Sequence, residues 1–255
     1  MLLAIDVGNT NITFAAFSGK SLVNEWRIAT SSTRTAEEYG VWLSNAMSLD
    51  GLKLKDINYV IIGTVVPGAL FNLKGMCERY FGCKPMVIGE PDVDLGMVPQ
   101  IDNPKEAGAD RLVDSVAAHS KYGGPLIVLD FGTATTLDVV DGEGNYAGGI
   151  IAPGVNLSLD ALHAAAAKLP RIAVEAPEHV IGKSTLECMQ SGIYWGYISM
   201  IEGLIKRIRA EYGEELQTVA TGGLASLFAK GTDMIDHIDT DLTLTGLVEI
   251  FNRNK

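Results

Sequence analysis

Residues 2–10 read LLAIDVGNT, and residues 126–135 read LIVLDFGTAT. Both stretches open with an apolar run that ends in an aspartate, and both continue into a turn of glycine and small polar residues. Apolar runs bounded by turn residues are typical of buried strands. Because the two aspartates, Asp6 and Asp130, lie about half the chain apart, the sequence predicts a duplicated unit.

The residues after each turn extend the duplication. Further strands are predicted at 12–17 and 22–28 in the first copy, and at 136–140 and 146–151 in the second. Elsewhere helices alternate with short strands, and the predicted helices cover 35–47, 68–81, 103–121, 158–169, 184–212 and 241–252. Such alternation indicates an α/β protein. We therefore expect two similar halves around a cleft, with domains at 1–123 and 124–255.

Composition excludes several classes of function. The chain has 255 residues, a net charge of −11 and a hydrophobic fraction of 47%. An acidic protein is a poor partner for nucleic acid, which is bound by clustered Lys and Arg. No apolar run reaches the roughly 18 residues of a membrane span. The three cysteines have no metal-ligand spacing, and the N-terminus lacks a signal-peptide pattern, so we expect a reduced, cytoplasmic enzyme.

The two aspartate-glycine turns are the first candidates for chemistry. Asp6 could bind Mg²⁺ directly or through water, because hard cations prefer oxygen ligands. Gly8 lets the backbone approach a phosphate, and Asn9 and Thr10 supply polar groups. An ordinary hairpin turn would use the same residue types. The recurrence of the pattern at residues 130–135 favours phosphate binding over that alternative.

Three further segments have both a functional and a structural interpretation. Residues 221–223 (TGG) follow a strand and suit an adenine–ribose unit, but tight helix–strand packing would also explain them. Residues 108–111 (GADR) lie in the helix predicted to open at Asn103, where an Asp-Arg pair is commonly a solvated face. Residues 148–154 (GGIIAPG) form either a bend or a pocket wall. The GKST segment at 182–185 is not a P-loop, because Pro177 replaces the required glycine.

Taken in order and spacing, these motifs resemble the type III pantothenate kinase family. The resemblance runs from Asp6 to the turn at 221–223. It implies the fold shared by acetate and sugar kinases, heat-shock chaperone ATPases and actin. It also implies ATP-dependent phosphorylation of pantothenate to 4′-phosphopantothenate, the first step towards coenzyme A. A homodimer and a monovalent cation, K⁺ or NH₄⁺, are further implications.

The resemblance assigns roles residue by residue. Asp110 would be the general base, Asp130 would bind the monovalent cation, and Arg111 would contact pantothenate together with Gly108, Ala109, Asp110 and Thr185. ATP would be bound by Asp6, Val7, Gly8, Asn9, Thr10, Asn11, Ile12, Thr13, Gly132 and Thr133, and, on the interpretation of the 221–223 turn given above, by Gly222 and Gly223. Many relatives carry a tyrosine shortly before the Asn-Pro pair, whereas residues 99–104 of this chain contain no aromatic residue.

Alternatives remain open at this point. The two turns would equally suit a sugar or carboxylate kinase or a polyphosphate hydrolase of the same superfamily, and a non-catalytic transcriptional accessory protein is a second class. The net charge of −11 opposes direct DNA binding. The alanine-rich segment at 161–167 could form a homodimer interface or part of the core, because small residues allow helices to approach closely.

Overall fold

The computed structural model describes residues 1–166 and 169–255. The chain forms two compact units. The first comprises Met1–Ser120 and Asp241–Lys255, and the second comprises Lys121–Thr240. The chain therefore crosses from one unit to the other twice. The division predicted from sequence, 1–123 and 124–255, differs in that it assigned the last helix to the second half.

Residues 1–166 and 169–255 form ten strands and seven α-helices. The strands are β1 Leu2–Val7, β2 Asn11–Ser18, β3 Ser21–Ala29, β4 Tyr59–Thr64, β5 Met86–Val87, β6 Leu126–Phe131, β7 Ala134–Val140, β8 Tyr146–Pro153, β9 Gln217–Gly222 and β10 His237–Ile238. The helices are α1 Ala36–Leu49, α2 Pro67–Met76, α3 Ala109–Tyr122, α4 Val155–Ala165, α5 Thr185–Tyr212, α6 Ala225–Phe228 and α7 Leu242–Arg253. None of the helices within the described ranges combines the length and apolar character that crossing a membrane requires.

The two sheets have the same topology. The first has the order β3-β2-β1-β4-β5, and the second has the order β8-β7-β6-β9-β10. In each sheet the first three strands in sequence form an antiparallel meander, and the last two run parallel to the first. This is the ribonuclease H-like arrangement, and its duplication within one chain confirms the predicted actin-like ATPase fold.

The sheet of the first unit is covered by helices on both faces. Leu3, Ile5 and Phe14 pack with Tyr39 of α1 and Leu73 of α2, and all five are fully buried. The opposite face carries Leu2, Ala4, Ala15 and Ile61, which pack with residues of α3 and α7, among them Val113, Leu247 and Ile250. Side chains alternate between faces along a strand, so Asp6 lies on the same face as Ala4, towards α3 and α7.

In the second unit an aromatic cluster fixes the long helix α5 against the sheet. Phe131 at the end of β6 stacks on Phe228 with ring centroids 5.1 Å apart. Tyr194 of α5 also stacks on Phe228, with ring centroids 5.5 Å apart. Large aromatic side chains dominate such cores because each removes a large apolar area from water. The end of β6, where the second aspartate-glycine turn begins, is thereby held in place.

The start of α3 differs from the prediction. We expected one helix from Asn103 to residue 121, but residues Pro104–Glu106 form a separate 3₁₀ turn. Asn103 caps that turn by accepting a hydrogen bond from the Lys105 N–H, and Ala107 is extended. The α-helix begins only at Ala109. Asp110 therefore lies in the first turn of α3 and not in the interior of a helix.

Helix α7 packs against α3 closely enough to require a glycine. A Cβ atom on Gly246 would lie inside the van der Waals surface of the Val113 carbonyl oxygen. We predict that Gly246→Ala lowers the free energy of unfolding by roughly 1–3 kcal/mol, the usual cost of overpacking. Gly196→Ala is the matched control, because nothing lies within 4 Å of its Cβ position in α5. Urea denaturation should show the control to be neutral or stabilised; equal destabilisation of both variants would contradict this packing.

Candidate active site

The first aspartate-glycine turn joins β1 to β2 and is closed by its own backbone. The Gly8 N–H donates to the Asn11 carbonyl oxygen at 3.0 Å. A Cβ atom on Gly8 would lie 3.3 Å from that same oxygen, so a side chain would crowd the turn. Asn9 and Thr10 are exposed at its tip. The turn thus presents backbone and small polar groups to solvent, as a phosphate-binding turn requires.

Asp6 belongs to a row of residues that crosses the sheet. It pairs in register with Thr13 of β2 and with Gly63 of β4. Residues directly opposite each other on paired strands project to the same face. Gly63 carries no side chain, and a Cβ atom there would lie 3.1 Å from a methyl group of Leu247 in α7. Asp6 itself is half-buried.

Asp110 approaches Asp6 from the first turn of α3. Burial raises the pKa of Asp6 to about 7, and the negative charge of Asp110 is the second cause of that rise. The positive charge of Arg27 opposes it. The Asp110 carboxylate accepts a hydrogen bond from the Arg111 N–H at 2.8 Å, and a Cβ on Gly108 would lie 2.6 Å from its Oδ1 atom. The GADR segment therefore brings a second carboxylate to the face of the sheet that carries Asp6.

The second turn is built on the same plan in the second unit. Asp130 pairs in register with Thr136 of β7, as Asp6 does with Thr13. The Gly132 N–H donates to the Ala134 carbonyl oxygen at 3.0 Å. Gly132 and Thr133 are both exposed. The duplication therefore preserves the aspartate, its opposite threonine and a backbone-closed turn.

Asp130 differs from Asp6 in being enclosed by glycines. A Cβ on Gly132 would lie 2.8 Å from Asp130 Oδ2, and a Cβ on Gly222 would lie 2.5 Å from Asp130 Oδ1. Gly222 also has a φ of +87°, which disfavours any other residue. Thr221 and Gly222 are the last residues of β9, and α6 begins at Ala225. The two glycines leave space around a single carboxylate.

The glycine-rich segment at 148–154 supports this second turn. A Cβ on Gly154 would overlap the backbone of Thr133 and Gly132. Gly154 is also the residue that precedes α4. The sequence left open whether residues 148–154 form a bend or a pocket wall. The structure shows that the absence of a side chain at Gly154 allows α4 to begin close to the turn at Gly132.

Thr185 lies in the second unit, at the start of α5. It is the first residue of α5, and Ser184 caps that helix by accepting from the Glu187 N–H at 3.2 Å. Thr185 lines a cavity of about 680 Å³ whose other walls are Leu162, Leu169, Gly182, Lys183, Ser184, Cys188, Met189, Gly192 and Ile193. The GKST segment, which is not a P-loop, thus forms a helix cap on the wall of a cavity.

Thr30 is a residue of the first turn that sequence reasoning missed. Its hydroxyl donates to the Gly8 carbonyl oxygen at 2.6 Å, and its N–H donates to the Thr10 carbonyl oxygen at 2.9 Å. Thr30 follows β3 directly, twenty residues beyond the turn in sequence. Only the register of the β2–β3 hairpin brings it back to Gly8, and the sequence contains no short-range signal of that contact.

Two ribonuclease H-like units, each with an aspartate-glycine turn at the end of its first strand, place the protein in the actin-like class. The model of the type III pantothenate kinase family matches residues 2–207. The type III pantothenate kinase of Rhodospirillum rubrum is 60% identical over 255 residues, covering 100% of this chain and 99% of the relative. That of Paramagnetospirillum magneticum is 59% identical over 254 residues, covering 100% and 98%. The chain belongs to the type III pantothenate kinase family.

The fold of this chain is also similar to that of a solved structure. A Campylobacter jejuni protein described as a conserved Baf family transcriptional activator matches with a TM-score of 0.63. It is 18% identical, and the match covers 99% of this chain and 98% of the other. At that identity the comparison shows a common fold alone.

Thr30 should influence nucleotide binding through the turn that it holds. We predict that Thr30→Val, which removes the hydroxyl donor to Gly8, raises the KM for ATP several-fold, since a lost hydrogen bond of this kind is worth about 0.5–1.5 kcal/mol. Thr30→Ser keeps the donor and should restore the parental KM. Steady-state kinetics with varied ATP measure both. A Thr30→Val protein with parental KM and kcat would show that the turn does not depend on this hydroxyl.

Proposed function

We propose that this protein transfers the γ-phosphoryl group of ATP to pantothenate, giving 4′-phosphopantothenate and ADP in the first step of coenzyme A biosynthesis. The observation that carries the proposal is the full-length identity of 59–60% to relatives that are named type III pantothenate kinase. The two aspartate turns and the GADR segment supply groups that such a reaction needs. No observation on the described residues favours a sugar kinase or a transcriptional role.

Asp110 is the proposed general base. In the reaction the pantothenate hydroxyl oxygen attacks the γ-phosphorus, the bond from that phosphorus to the bridging oxygen of ADP breaks, and the hydroxyl proton passes to Asp110. Phosphoryl transfer needs positioned reactants and compensated charge more than covalent chemistry from the protein. The first turn of α3 supports this role, because it holds a half-buried carboxylate on the sheet face that carries Asp6.

Asp6 fits a divalent cation. Its carboxyl group is half-buried beside the negative charge of Asp110, an arrangement that disfavours ionisation and that a cation would relieve. Mg²⁺ is usually bound by one or two carboxylates together with water and substrate phosphates. We propose that Asp6 binds Mg²⁺, directly or through water. When bound, Mg²⁺ neutralises negative charge on the phosphate oxygens.

Asp130 fits a monovalent cation. Its two carboxylate oxygens each face a glycine, Gly132 and Gly222, where a side chain would occupy the adjacent space. K⁺ or NH₄⁺ beside this half-buried carboxylate would offset the cost of its partial burial. When bound, such an ion lowers the repulsion between protein carboxylate and nucleotide phosphates. The same glycine-lined turn supports the proposed contacts of Gly132, Thr133, Gly222 and Gly223 with ATP.

Pantothenate contacts are proposed for the GADR segment and for Thr185. Arg111 follows the proposed base and can hold a substrate carboxylate through two parallel hydrogen bonds. Gly108 and Ala109 offer backbone with little side-chain bulk. Thr185 lines the 680 Å³ cavity of the second unit, which supports a ligand contact there.

The activity itself is tested with a panel of acceptors. The protein is incubated with ATP, Mg²⁺ and K⁺, and ADP release is followed with pantothenate, glucose, N-acetylglucosamine or acetate. We expect release with pantothenate alone. Release with a sugar or acetate instead would favour another kinase of the superfamily, and no release with any acceptor would contradict the proposal.

The proposed roles of Asp110 and Arg111 predict that substitutions at these two residues change different kinetic parameters. Asp110→Asn should lower kcat by roughly 10²–10⁴, the range usual for general acid–base groups. Arg111→Ala should mainly raise the KM for pantothenate, because it removes a contact already made to the bound substrate. Both variants must melt like the parent. Near-parental kcat in Asp110→Asn would place the base elsewhere.

The role of Asp130 predicts a requirement for a monovalent cation. Activity should be lost in choline or Na⁺ buffer and return with K⁺ or NH₄⁺. Asp130→Asn should weaken the dependence on K⁺ concentration along with the activity, whereas Glu143→Gln, an exposed carboxylate on a turn of the same unit, should change neither. Parental activity in a buffer free of K⁺ and NH₄⁺ is the result that rules this role out.

A homodimer is proposed from the surface of the second unit. Apolar side chains are exposed on α4 and around the start of α5, namely Leu157, Ala161, Leu162, Ala164, Ala165, Val180, Ile181 and Leu186. Clustered exposed apolar residues mark interaction surfaces. Ala166 follows α4, and Ala167 lies outside the described residues.

Light scattering should give twice the monomer mass for the parent and a lower mass for Leu157→Asp, with exposed Leu49→Asp in the first unit as the control. A monomeric parent at micromolar concentration would refute the dimer.

A further inference from the structure

The row of residues through Asp6 continues to the edge strand of the sheet. Thr13, opposite Asp6, pairs in register on its other side with Arg27 of β3. Arg27, Thr13 and Asp6 therefore project to the same face. Neighbouring strands lie about 4.8 Å apart, so the Arg27 and Asp6 Cα atoms are separated by roughly 10 Å, and an extended guanidinium can reach the space above Thr13.

The charge of Arg27 acts on Asp6 across this row. It lowers the pKa of Asp6, against the larger raising effects of burial and of Asp110. In the structure the Arg27 side chain is 66% exposed, and its ion pair with Glu25 is long, with Nε and Oε1 4.0 Å apart. Exposed ion pairs of this kind contribute little free energy. The guanidinium can therefore leave Glu25 for an anionic ligand at small cost.

The second unit shows that the fold does not require an arginine at this position. The corresponding row there reads Asp130, Thr136 and Ile151. The aspartate and the opposite threonine are kept, whereas the edge strand carries an isoleucine that is 65% exposed. The first unit thus carries an arginine where the second unit carries an isoleucine, and packing of the duplicated sheet does not explain the arginine.

The first turn itself carries no positively charged side chain that could contact phosphate. Residues 6–13 include no lysine or arginine, and Asp6 and Asp110 both add negative charge. In phosphoryl transfer, negative charge is spread over the three outer oxygens of the transferred group. A guanidinium matches two such oxygens with parallel hydrogen bonds, which a lysine ammonium cannot do. Among the residues in register with Asp6, Arg27 is the group with this chemistry.

We propose that Arg27 binds the γ-phosphoryl group of ATP and neutralises its charge during transfer, a catalytic role that rests on the proposed kinase function. Arg27 extends from the edge strand over Thr13 towards the first turn. Arg111, in contrast, is the proposed partner of the acceptor. Arg27 would then bind the phosphoryl donor, ATP, and Arg111 would bind the phosphoryl acceptor, pantothenate.

The test compares the affinity of the protein for ATP with its affinity for ADP. Affinities of Arg27→Gln for ATP and for ADP are measured by competition with a fluorescent nucleotide, without pantothenate. Because the proposed contact is to the γ-phosphoryl group, ATP affinity should fall about tenfold or more, and ADP affinity should stay within about twofold. The kcat/KM for ATP should fall by about 10²–10³, as for other groups that stabilise developing charge. Arg27→Lys should recover part of the ATP affinity and little of the rate.

Lys20→Gln is the matched control, because it removes one positive charge from the exposed turn of the same hairpin. It should keep parental affinities and rate. An Arg27→Gln protein that keeps its ATP affinity, or that loses ATP and ADP affinity equally, would overturn the proposal. If Arg27→Gln melts early, Arg27→Lys decides: parental kcat/KM in that variant also overturns it. Failure of the parent to phosphorylate pantothenate would reject the proposed function, while the ATP–ADP comparison would still decide the role of Arg27.

Discussion

The site in the first unit depends on holding a carboxyl group, that of Asp6, at the end of a buried strand beside a second carboxyl group. Burial is the larger cause of the raised pKa of Asp6, and the charge of Asp110 is the next. A buried charge is costly unless it is paired. Positive charge would lower that cost, and the proposed Mg²⁺ and the proposed role of Arg27 would both supply it.

The two units share the strand and turn that carry the aspartate, but they differ in the residues around it. Both units keep an aspartate opposite a threonine at the start of a backbone-closed turn. In the first unit the aspartate faces a carboxylate from α3, and in the second it is enclosed by Gly132 and Gly222. The proposed Mg²⁺ site and the proposed monovalent-cation site therefore rest on the same strand and turn.

The sequence predicted the elements that local pattern controls. The strands around Asp6 and Asp130 depend on apolar runs and turn residues, which are short-range signals. The start of α3 was missed, because an Asn-Pro pair opens a 3₁₀ turn as readily as an α-helix. Thr30 and Arg27 were missed because strand register, which no local pattern encodes, brings Thr30 to Gly8 and places Arg27 opposite Thr13.

The ionisation of Asp6 tests this account most directly. The ¹³C shift of its carboxyl carbon can be followed against pH by NMR, with a chelator present to remove metal. The account predicts a midpoint near 7 in the parent. In Asp110→Asn the midpoint should fall but stay above the ordinary 3.8, because burial remains and only the neighbouring charge is lost. A parental midpoint near 3.8, or one that Asp110→Asn leaves unchanged, would contradict the pairing of the two carboxyl groups on which the proposed site is built.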